Sequence, residues 1–512
     1  MMIPEPAFTS SLFPDIPPQV TARIVLPPAL LLGLLYGLTS SENLSVAHDS
    51  AAYLLEIRDL PWDAWYPHHL LWHAAAALWA GLWPSGWDLV QRVVSLNVLA
   101  GTATLALAGC FLHRRLGLGS LDTRLGMMLA GGSYGLWCYS TVVEVYMLPL
   151  AGWMGLLLLL TGRLTPPRVL GLMVLHAAVI LLHQSHILLI PAALWLLRSA
   201  PRLAVGYLGG LGMLTGGVYL AVLTGALQLD TPGEWLHWLI GYAHDDTYWQ
   251  EPGLGMVIEP LVGFGRSLIG GHAAFRLLPV SAGTYGLADE RFLVHALTPG
   301  AAAGLLAGTA VIGVWLLYGL IAGVRGWAWI PAPYRVHVRW LGGVWVSYAL
   351  FFLAWMPVNP EFWLPQMLVF WLIFMRLYAS TAWPSKPLRR KTVGILAVSL
   401  LFVVNGAGSI RWMQDPAFDL YAVRTATLKT QYHPGDQVWL AEPWINRFYL
   451  GLADIPALPD SLSPPPLLPG QRRWIMPGET VHDLHCTDCQ TDTVWHNGGY
   501  LISQQLPDPD SF

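Results

Sequence analysis

Long apolar runs alternate with short polar stretches along most of the chain, and most runs have the length of a helix that crosses a bilayer. Such a helix needs about 20 predominantly apolar residues. The pattern therefore predicts an all-α polytopic membrane helix bundle of about 11 transmembrane helices. The predicted spans are 23–39, 92–112, 125–143, 146–162, 168–184, 186–200, 203–223, 299–323, 338–356, 362–380 and 392–409.

The basic residues of the short connections fall on one side of this bundle. Positively charged loops stay in the cytoplasm during insertion. We therefore expect an integral protein of a bacterial inner membrane, with a cytoplasmic amino terminus and a periplasmic carboxyl terminus. The residues on the cytoplasmic side are Arg23, Arg114, Arg115, Arg124, Arg163, Arg168, Arg198, Arg202, Arg325, Arg335, Arg339, Arg376, Lys386, Arg389, Arg390 and Lys391.

Three regions lie outside the bundle on the opposite face. The first region, 40–91, contains an apolar stretch at 69–83 that is bounded by Pro67 and Pro84. This stretch is too short to span the bilayer, so it predicts an interfacial helix. The third is long enough for a small domain. The predicted division is a cytoplasmic tail 1–22, a transmembrane domain 23–409 with outer loops 40–91 and 224–298, and an extracytoplasmic region 410–512.

Composition agrees with a membrane protein and excludes some partners. Of 512 residues, 54% are hydrophobic and 11% are charged, against roughly 25% charged in a soluble globular domain. The net charge is −4 and no basic tract suits nucleic acid. Four cysteines are too few for a disulfide framework.

Two carboxylates stand at the outer ends of different predicted spans. Asp49 follows the first span, with Tyr53 and Glu56 at helical spacing, and Glu144 follows the third. A carboxylate held there can act as a general base toward a hydroxyl group. A lone aspartate is more often a solvated helix cap, but two acids at one membrane face indicate a shared cavity.

Further ionisable groups fall on the same face. His183 and His186, separated by three positions, could bind a divalent cation or donate to a phosphate, although a self-satisfied hairpin turn explains them as well. Glu361 lies in another outer turn. Arg266 and Arg276 lie on Gly-rich apolar sequence, where a lipid phosphate or ordinary snorkelling to head groups would account for either arginine.

The tail carries one cluster of metal-ligand types. His482, His485, Cys486 and Cys489 could hold zinc. In an oxidising compartment the alternative is a local disulfide between the two cysteines, and we prefer this alternative slightly.

Taken together, these segments resemble the GT-C superfamily of membrane glycosyltransferases, in particular the branch related to the protein O-mannosyltransferases with an EVY motif. The resemblance covers roughly the first 200 residues and one later turn. The matching segments are HDSAAY at 48–53, WYPHHLLWH at 65–73, VVEVYMLPL at 142–150, LLHQSHILLIPA at 181–192 and NPEFWLP at 359–365.

The resemblance implies transfer of a sugar from a polyprenyl-phosphate donor to an acceptor protein or glycan outside the cytoplasm, with inversion. Asp49 would deprotonate the acceptor, and Glu144 would orient it or hold Mg²⁺ or Mn²⁺. His183, His186, Arg266 or Arg276 would stabilise the leaving phosphate. The remaining expected substrate-binding residues are His48, Tyr53, His68, His69, Tyr146 and Glu361.

One departure leaves metal dependence open. Many members of the superfamily carry two adjacent acids after the first span, where this chain has His48 and Asp49. A cation held by Asp49 and Glu144 is therefore an expectation that the motif supports only in part.

The alternative function is a transporter or flippase of lipid-linked glycans. A transporter places ionisable groups near the membrane midplane, often in repeated halves with broken helices. Few charges lie in the middle of any predicted span, and no internal repeat is evident. The pattern therefore favours the enzyme.

Overall fold

Helices dominate the computed structural model, which describes residues 17–47, 49–60, 62–84, 86–244, 248–278, 285, 288–381, 387–440, 443–458, 467, 472–476, 490–496 and 499–505. The first helices are α1 Pro18–Leu38, α2 Ser50–Asp59, α3 Trp72–Gly81, α4 Leu89–Arg114, α5 Ser120–Gly132, α6 Tyr134–Thr141, α7 Met147–Leu160, α8 Pro166–Leu182, α9 Ile190–Leu197 and α10 Pro201–Ala221. They are followed by α11 Pro232–Ile240, α12 Gly255–Leu268, α13 His272–Leu277, α14 Ala288–Leu293, α15 Pro299–Arg325, α16 Ala332–Phe352, α17 Leu364–Ala379, α18 Pro387–Asn405, α19 Leu420–Gln431 and α20 Pro443–Leu452.

Six helices among the described residues are long and apolar enough to cross a membrane. They are Pro18–Leu38, Leu89–Arg114, Pro201–Ala226, Pro299–Arg325, Pro360–Ala379 and Arg390–Met413. Shorter apolar helices cover Met147–Leu160, Pro166–Leu182 and Gln184–Leu197. The chain is therefore an integral membrane protein, and the predicted polytopic helix bundle is confirmed.

The predicted spans coincide with helices, with one internal break. The run predicted at 125–143 forms α5 and α6, which separate at Ser133, where the backbone is extended with φ −68° and ψ 139°. In the first outer loop, α3 lies within the stretch predicted to be an interfacial helix.

Large side chains fill the centre of the bundle. Trp153 of α7, together with Trp371 and Phe374 of α17, is completely or almost completely buried. Helix α4 packs so closely against α6 that a Cβ atom added at Gly101 would lie 2.2 Å from Ser140 Oγ. This approach brings the amino-terminal part of α4 beside the turn that follows α6.

The C-terminal region adds a small sheet to the helices, which the apolar pattern did not indicate. Its strands are β1 Gln437–Leu440, β2 Arg472–Met476, β3 Gln490–His496 and β4 Gly499–Gln505. Their order is β1-β2-β4-β3, with β1 parallel to β2 and the other pairs antiparallel. Helices α19 and α20 accompany this sheet, and α20 packs against α2 of the first outer loop.

Candidate active site

A cavity of about 1030 Å³ is lined by side chains from the first outer loop, the turn after α6, the turn after α8, helix α10 and the segment around 359–362. Part of its wall is ionisable and part is apolar. The apolar part includes Leu208 and Leu211 of α10, with Ile187 and Ile240. The ionisable part contains most of the groups that the sequence singled out.

Helix α2 presents one face to this cavity. Asp49, Tyr53 and Glu56 are spaced so that they share a side of a helix, and all three line the cavity. The Tyr53 hydroxyl lies 3.4 Å from Asp49 Oδ2 and points toward it. Tyr53 is buried and Asp49 is partly exposed, so the aspartate can reach a ligand in the cavity.

Glu144 lies in the turn between α6 and α7 and lines the same cavity. Asn97 of α4 holds this turn from behind, because its Nδ2 donates to the Val142 carbonyl at 2.8 Å and to the Glu144 carbonyl at 2.9 Å. Asn97 is fully buried. The Glu144 carboxylate accepts a 3.0 Å hydrogen bond from the Val145 amide, which fixes its direction.

The environment of Glu144 favours its protonated form. Burial raises the pKa of Glu144 well above its ordinary value, and the negative charge of Asp49 raises the pKa further. The hydrogen bond from Val145 acts in the opposite direction. Among the carboxyl groups that line the cavity, Asp49 and Glu144 therefore interact electrostatically, and the protonated form of Glu144 is favoured.

Two histidines of the first outer loop, His68 and His69, are neutral at neutral pH. Burial lowers the pKa of His68 to about 4 and that of His69 well below its ordinary value. Their ring centroids lie 4.2 Å apart, edge to face, and both side chains line the cavity. They can exchange hydrogen bonds with a ligand without contributing positive charge.

Glu56 contacts two further residues of the same loop, Tyr66 and His73, which the sequence analysis did not single out. Its carboxylate accepts a hydrogen bond from the Tyr66 hydroxyl and lies 2.9 Å from His73 Nε2. Tyr66 lines the cavity, and His73 is almost completely buried behind it. A polar network therefore extends the candidate site beyond Asp49 and Glu144.

The two histidines of the turn after α8 face different neighbours. His183 lines the main cavity, and its Nδ1 lies 2.7 Å from Ser185 Oγ. His186 lines a smaller adjacent cavity, and its Nδ1 lies 3.0 Å from the Tyr348 hydroxyl. Their ring centroids are 6.1 Å apart.

Tyr146 and Glu361 lie near this turn and line both cavities. The Tyr146 ring lies 5.1 Å from the His183 ring. Glu361 accepts a 2.7 Å hydrogen bond from the Tyr139 hydroxyl. A residue of the late NPEFWLP segment is thereby joined to the end of α6.

Arg266 and Arg276, which the sequence analysis treated alike, lie in different environments. Arg266 is 6% exposed, lines the cavity, forms an ion pair with Glu290 and donates a 2.9 Å hydrogen bond to the Tyr285 carbonyl. Arg276 does not line the cavity, and its Nε donates to the Leu297 carbonyl at 2.8 Å. Of the two, Arg266 alone is placed to meet a ligand in the cavity, and Glu290 already balances its charge.

Several predicted residues fall outside the described part of the chain. These are His48 of the first motif and the tail cluster His482, His485, Cys486 and Cys489. Within the described residues, no three His, Cys, Asp or Glu side chains are grouped so as to hold a metal ion.

No family model and no curated protein matches the sequence. The chain is similar to the crystal structure of ArnT from Cupriavidus metallidurans in the apo state, with 13% identity and a TM-score of 0.45, over 95% of this chain and 98% of that chain. It is similar to ArnT from Cupriavidus metallidurans bound to undecaprenyl phosphate, with 11% identity and a TM-score of 0.45, over the same shares. At this level the likeness assigns neither a ligand nor a reaction to this chain.

Proposed function

We propose that this chain is a GT-C-type glycosyltransferase that moves a sugar from a polyprenyl-phosphate carrier to an acceptor hydroxyl at the outer face of the membrane. The observation that carries the proposal is the mixed wall of the cavity. Asp49 and Glu144 line the same space as Leu208 and Leu211 of α10. A donor with an isoprenoid tail, a phosphate and a sugar needs apolar and ionisable surfaces within one site.

The reaction is a single displacement at the anomeric carbon. Asp49 accepts the proton of the acceptor hydroxyl while the acceptor oxygen forms the new glycosidic bond. The bond between the anomeric carbon and the phosphate oxygen breaks, and its electron pair leaves with the carrier phosphate. Attack opposite the leaving group inverts the anomeric configuration.

Glu144 has a different part from Asp49, because its surroundings favour the protonated carboxyl group. Burial and the charge of Asp49 raise the pKa of this carboxyl group, which favours its protonated form. A protonated carboxyl group donates a hydrogen bond to the acceptor, where a second carboxylate would only repel negative charge. In this scheme Glu144 orients the acceptor toward Asp49.

The departing phosphate is stabilised by Arg266 and by neutral hydrogen-bond donors. Arg266 lines the cavity while paired with Glu290, so it offers an oriented guanidinium with little net charge. His68 and His69 add N–H groups without charge. Fixed donors of this kind act where negative charge develops on the leaving group. No step is assigned to a divalent cation.

Substitution of Asp49 tests the proposal. We expect Asp49→Asn to reduce release of polyprenyl phosphate from a polyprenyl-phosphate-linked sugar by about 10²-fold or more, measured on protein in lipid nanodiscs. Binding of undecaprenyl phosphate, measured in parallel, should change little. Asp59→Asn is the matched control, because Asp59 ends the same helix, is exposed and, among the described residues, pairs with Arg58.

Full transfer by Asp49→Asn would remove the assignment of the base. The flippase alternative predicts movement of the lipid-linked glycan across reconstituted vesicles without a new glycosidic bond. The proposed topology is tested with Asp59→Cys, which a membrane-impermeant maleimide should label from the periplasmic side, above the background of the parent chain.

A further inference from the structure

Asp419 is a completely buried carboxylate at the start of helix α19. One of its oxygens, Oδ1, accepts hydrogen bonds from the Tyr421 amide at 3.1 Å and the Ala422 amide at 2.8 Å. This is the usual arrangement at a helix N-cap, and asparagine or serine also serves in such a position. Capping therefore accounts for only one of the two carboxylate oxygens of Asp419.

The second oxygen of Asp419 reaches a distant part of the chain. Oδ2 accepts hydrogen bonds from the Leu44 amide at 2.9 Å, the Ser45 amide at 3.2 Å and the Tyr449 hydroxyl at 2.9 Å. A single carboxylate thus receives five donors from three segments. A neutral amide has only one oxygen, so it cannot accept from both sets of donors.

The anchored segment leads directly into the candidate base. Leu44 and Ser45 precede Asp49 by a few residues, and Val46 and Ala47, which lie between them, line the cavity. The position of this segment therefore determines where helix α2 begins. Its anchor is a residue of the C-terminal region, for which the sequence suggested no role.

The side of helix α2 that faces away from the cavity packs against the C-terminal region. Ala51 is completely buried in a cluster with Leu420, Tyr421 and Tyr449. One turn further along α2, a Cβ atom added at Gly451 of α20 would lie 2.9 Å from Leu55. The side of α2 opposite the cavity is therefore packed against α19 and α20.

The contacts of α2 with α20 extend to the end of the helix, while Leu54 and Ile57 pack against α3 and α4. Arg58, near the end of the helix, donates a 3.2 Å hydrogen bond to the Gly451 carbonyl. On the other side, Asp49, Tyr53 and Glu56 line the cavity. A shift of α19 or α20 would therefore carry the cavity-facing groups with it.

We infer that Asp419 is a positioning residue for the proposed reaction, holding the segment before α2 so that Asp49 stays directed into the cavity near Glu144. This inference rests on the proposed function. It gives the C-terminal region a defined task, which is to brace the helix that carries the base. Asp419 itself does not line the cavity, so it acts through Asp49.

Hydrogen exchange tests the brace without reference to activity. In Asp419→Asn, an N–H group replaces one carboxylate oxygen and faces other donors. We expect the amides of 44–47 and of α2 to exchange about 10-fold faster or more in nanodiscs, while α4 and α17 keep their rates. Tyr449→Phe removes one of the five bonds and should change the same amides in the same direction by less.

Asp415→Asn is the matched control. Asp415 is exposed and caps the short turn Pro416–Phe418 through a 2.9 Å hydrogen bond from the Ala417 amide, with no contact to the segment before α2 among its hydrogen bonds. This variant should leave exchange in α2 unchanged. If α2 exchanges at the parent rate in both Asp419→Asn and Tyr449→Phe, or equally fast in Asp415→Asn, the inference is wrong.

Transfer kinetics separate failure of the brace from failure of the proposed function. With a polyprenyl-phosphate-linked sugar as donor, Asp419→Asn should lower kcat by about 10-fold or more and leave the KM for the donor within about threefold. Parent kcat in a variant whose α2 exchanges faster would overturn the positioning role. Unchanged transfer in Asp49→Asn would instead overturn the proposed base, whatever the exchange data show.

Discussion

The Ser50 hydroxyl donates a 2.7 Å hydrogen bond to the Val143 carbonyl, although the two residues are 93 positions apart. Ser50 directly follows Asp49 and Val143 directly precedes Glu144. A hydrogen bond therefore joins the chain neighbours of the two candidate carboxylates, Asp49 and Glu144. This contact holds the start of α2 against the turn after α6, and the two bonds from Asn97 hold the same turn against α4.

Removal of this bond should loosen the site. Ser50→Ala leaves the buried Val143 carbonyl without its 2.7 Å donor, so we expect a loss of about 1 kcal/mol in the free energy of unfolding, with lower transfer activity. A denaturant titration in mixed micelles measures the first effect. Ser347→Ala is the control, because the Ser347 hydroxyl donates to the Val344 carbonyl within its own helix.

Substitution of Asn97 should lower the free energy of unfolding more than substitution of Ser50. Asn97→Leu keeps a side chain of similar size but removes both donors to the turn that carries Glu144. We expect a loss of about 2–4 kcal/mol, since two buried carbonyls lose a partner. A loss equal to that of Ser50→Ala in the same titration would contradict this ranking.

The apolar runs predicted the helices well because a bilayer imposes both a length and an apolar composition on each span. Contacts between distant segments left a weaker trace. Asn97 could have been noticed as a polar residue inside an apolar helix, which usually has a specific partner. Asp419 stands in ordinary polar sequence, and its bond to Leu44 crosses 375 positions, so nothing local distinguishes it from a simple cap.

The pH dependence of stability should report the proton on Glu144. Its pKa is raised in the folded protein, so above the ordinary value of about 4.3 the folded chain keeps a proton that the unfolded chain has lost. Stability from this group is complete below that pH and is lost as pH rises toward the raised pKa. Glu144→Gln cannot titrate, so its melting temperature relative to the parent should increase between about pH 5 and pH 8.

Two variants check the cause of this slope. Asp49→Asn removes the charge that raises the pKa of Glu144, so the decline in stability should become smaller. Glu42→Gln is the comparison variant, because Glu42 is an exposed carboxylate in the same loop that does not line the cavity. A slope that persists in Glu144→Gln would assign the effect to another group.

Because Arg266 is paired with Glu290, substitution of Arg266 should lower the free energy of unfolding far more than substitution of Arg276. Arg266→Met leaves Glu290, which is 4% exposed, as a buried charge without the guanidinium, at a cost of about 3–5 kcal/mol. Arg276→Met loses one hydrogen bond to a carbonyl and should cost about 1 kcal/mol. The double variant Arg266→Met with Glu290→Leu should recover most of the stability, since apolar residues replace both charges. If it recovers stability but releases no polyprenyl phosphate, Arg266 has a part in the reaction beyond folding, whereas recovery of both would make the pair purely structural.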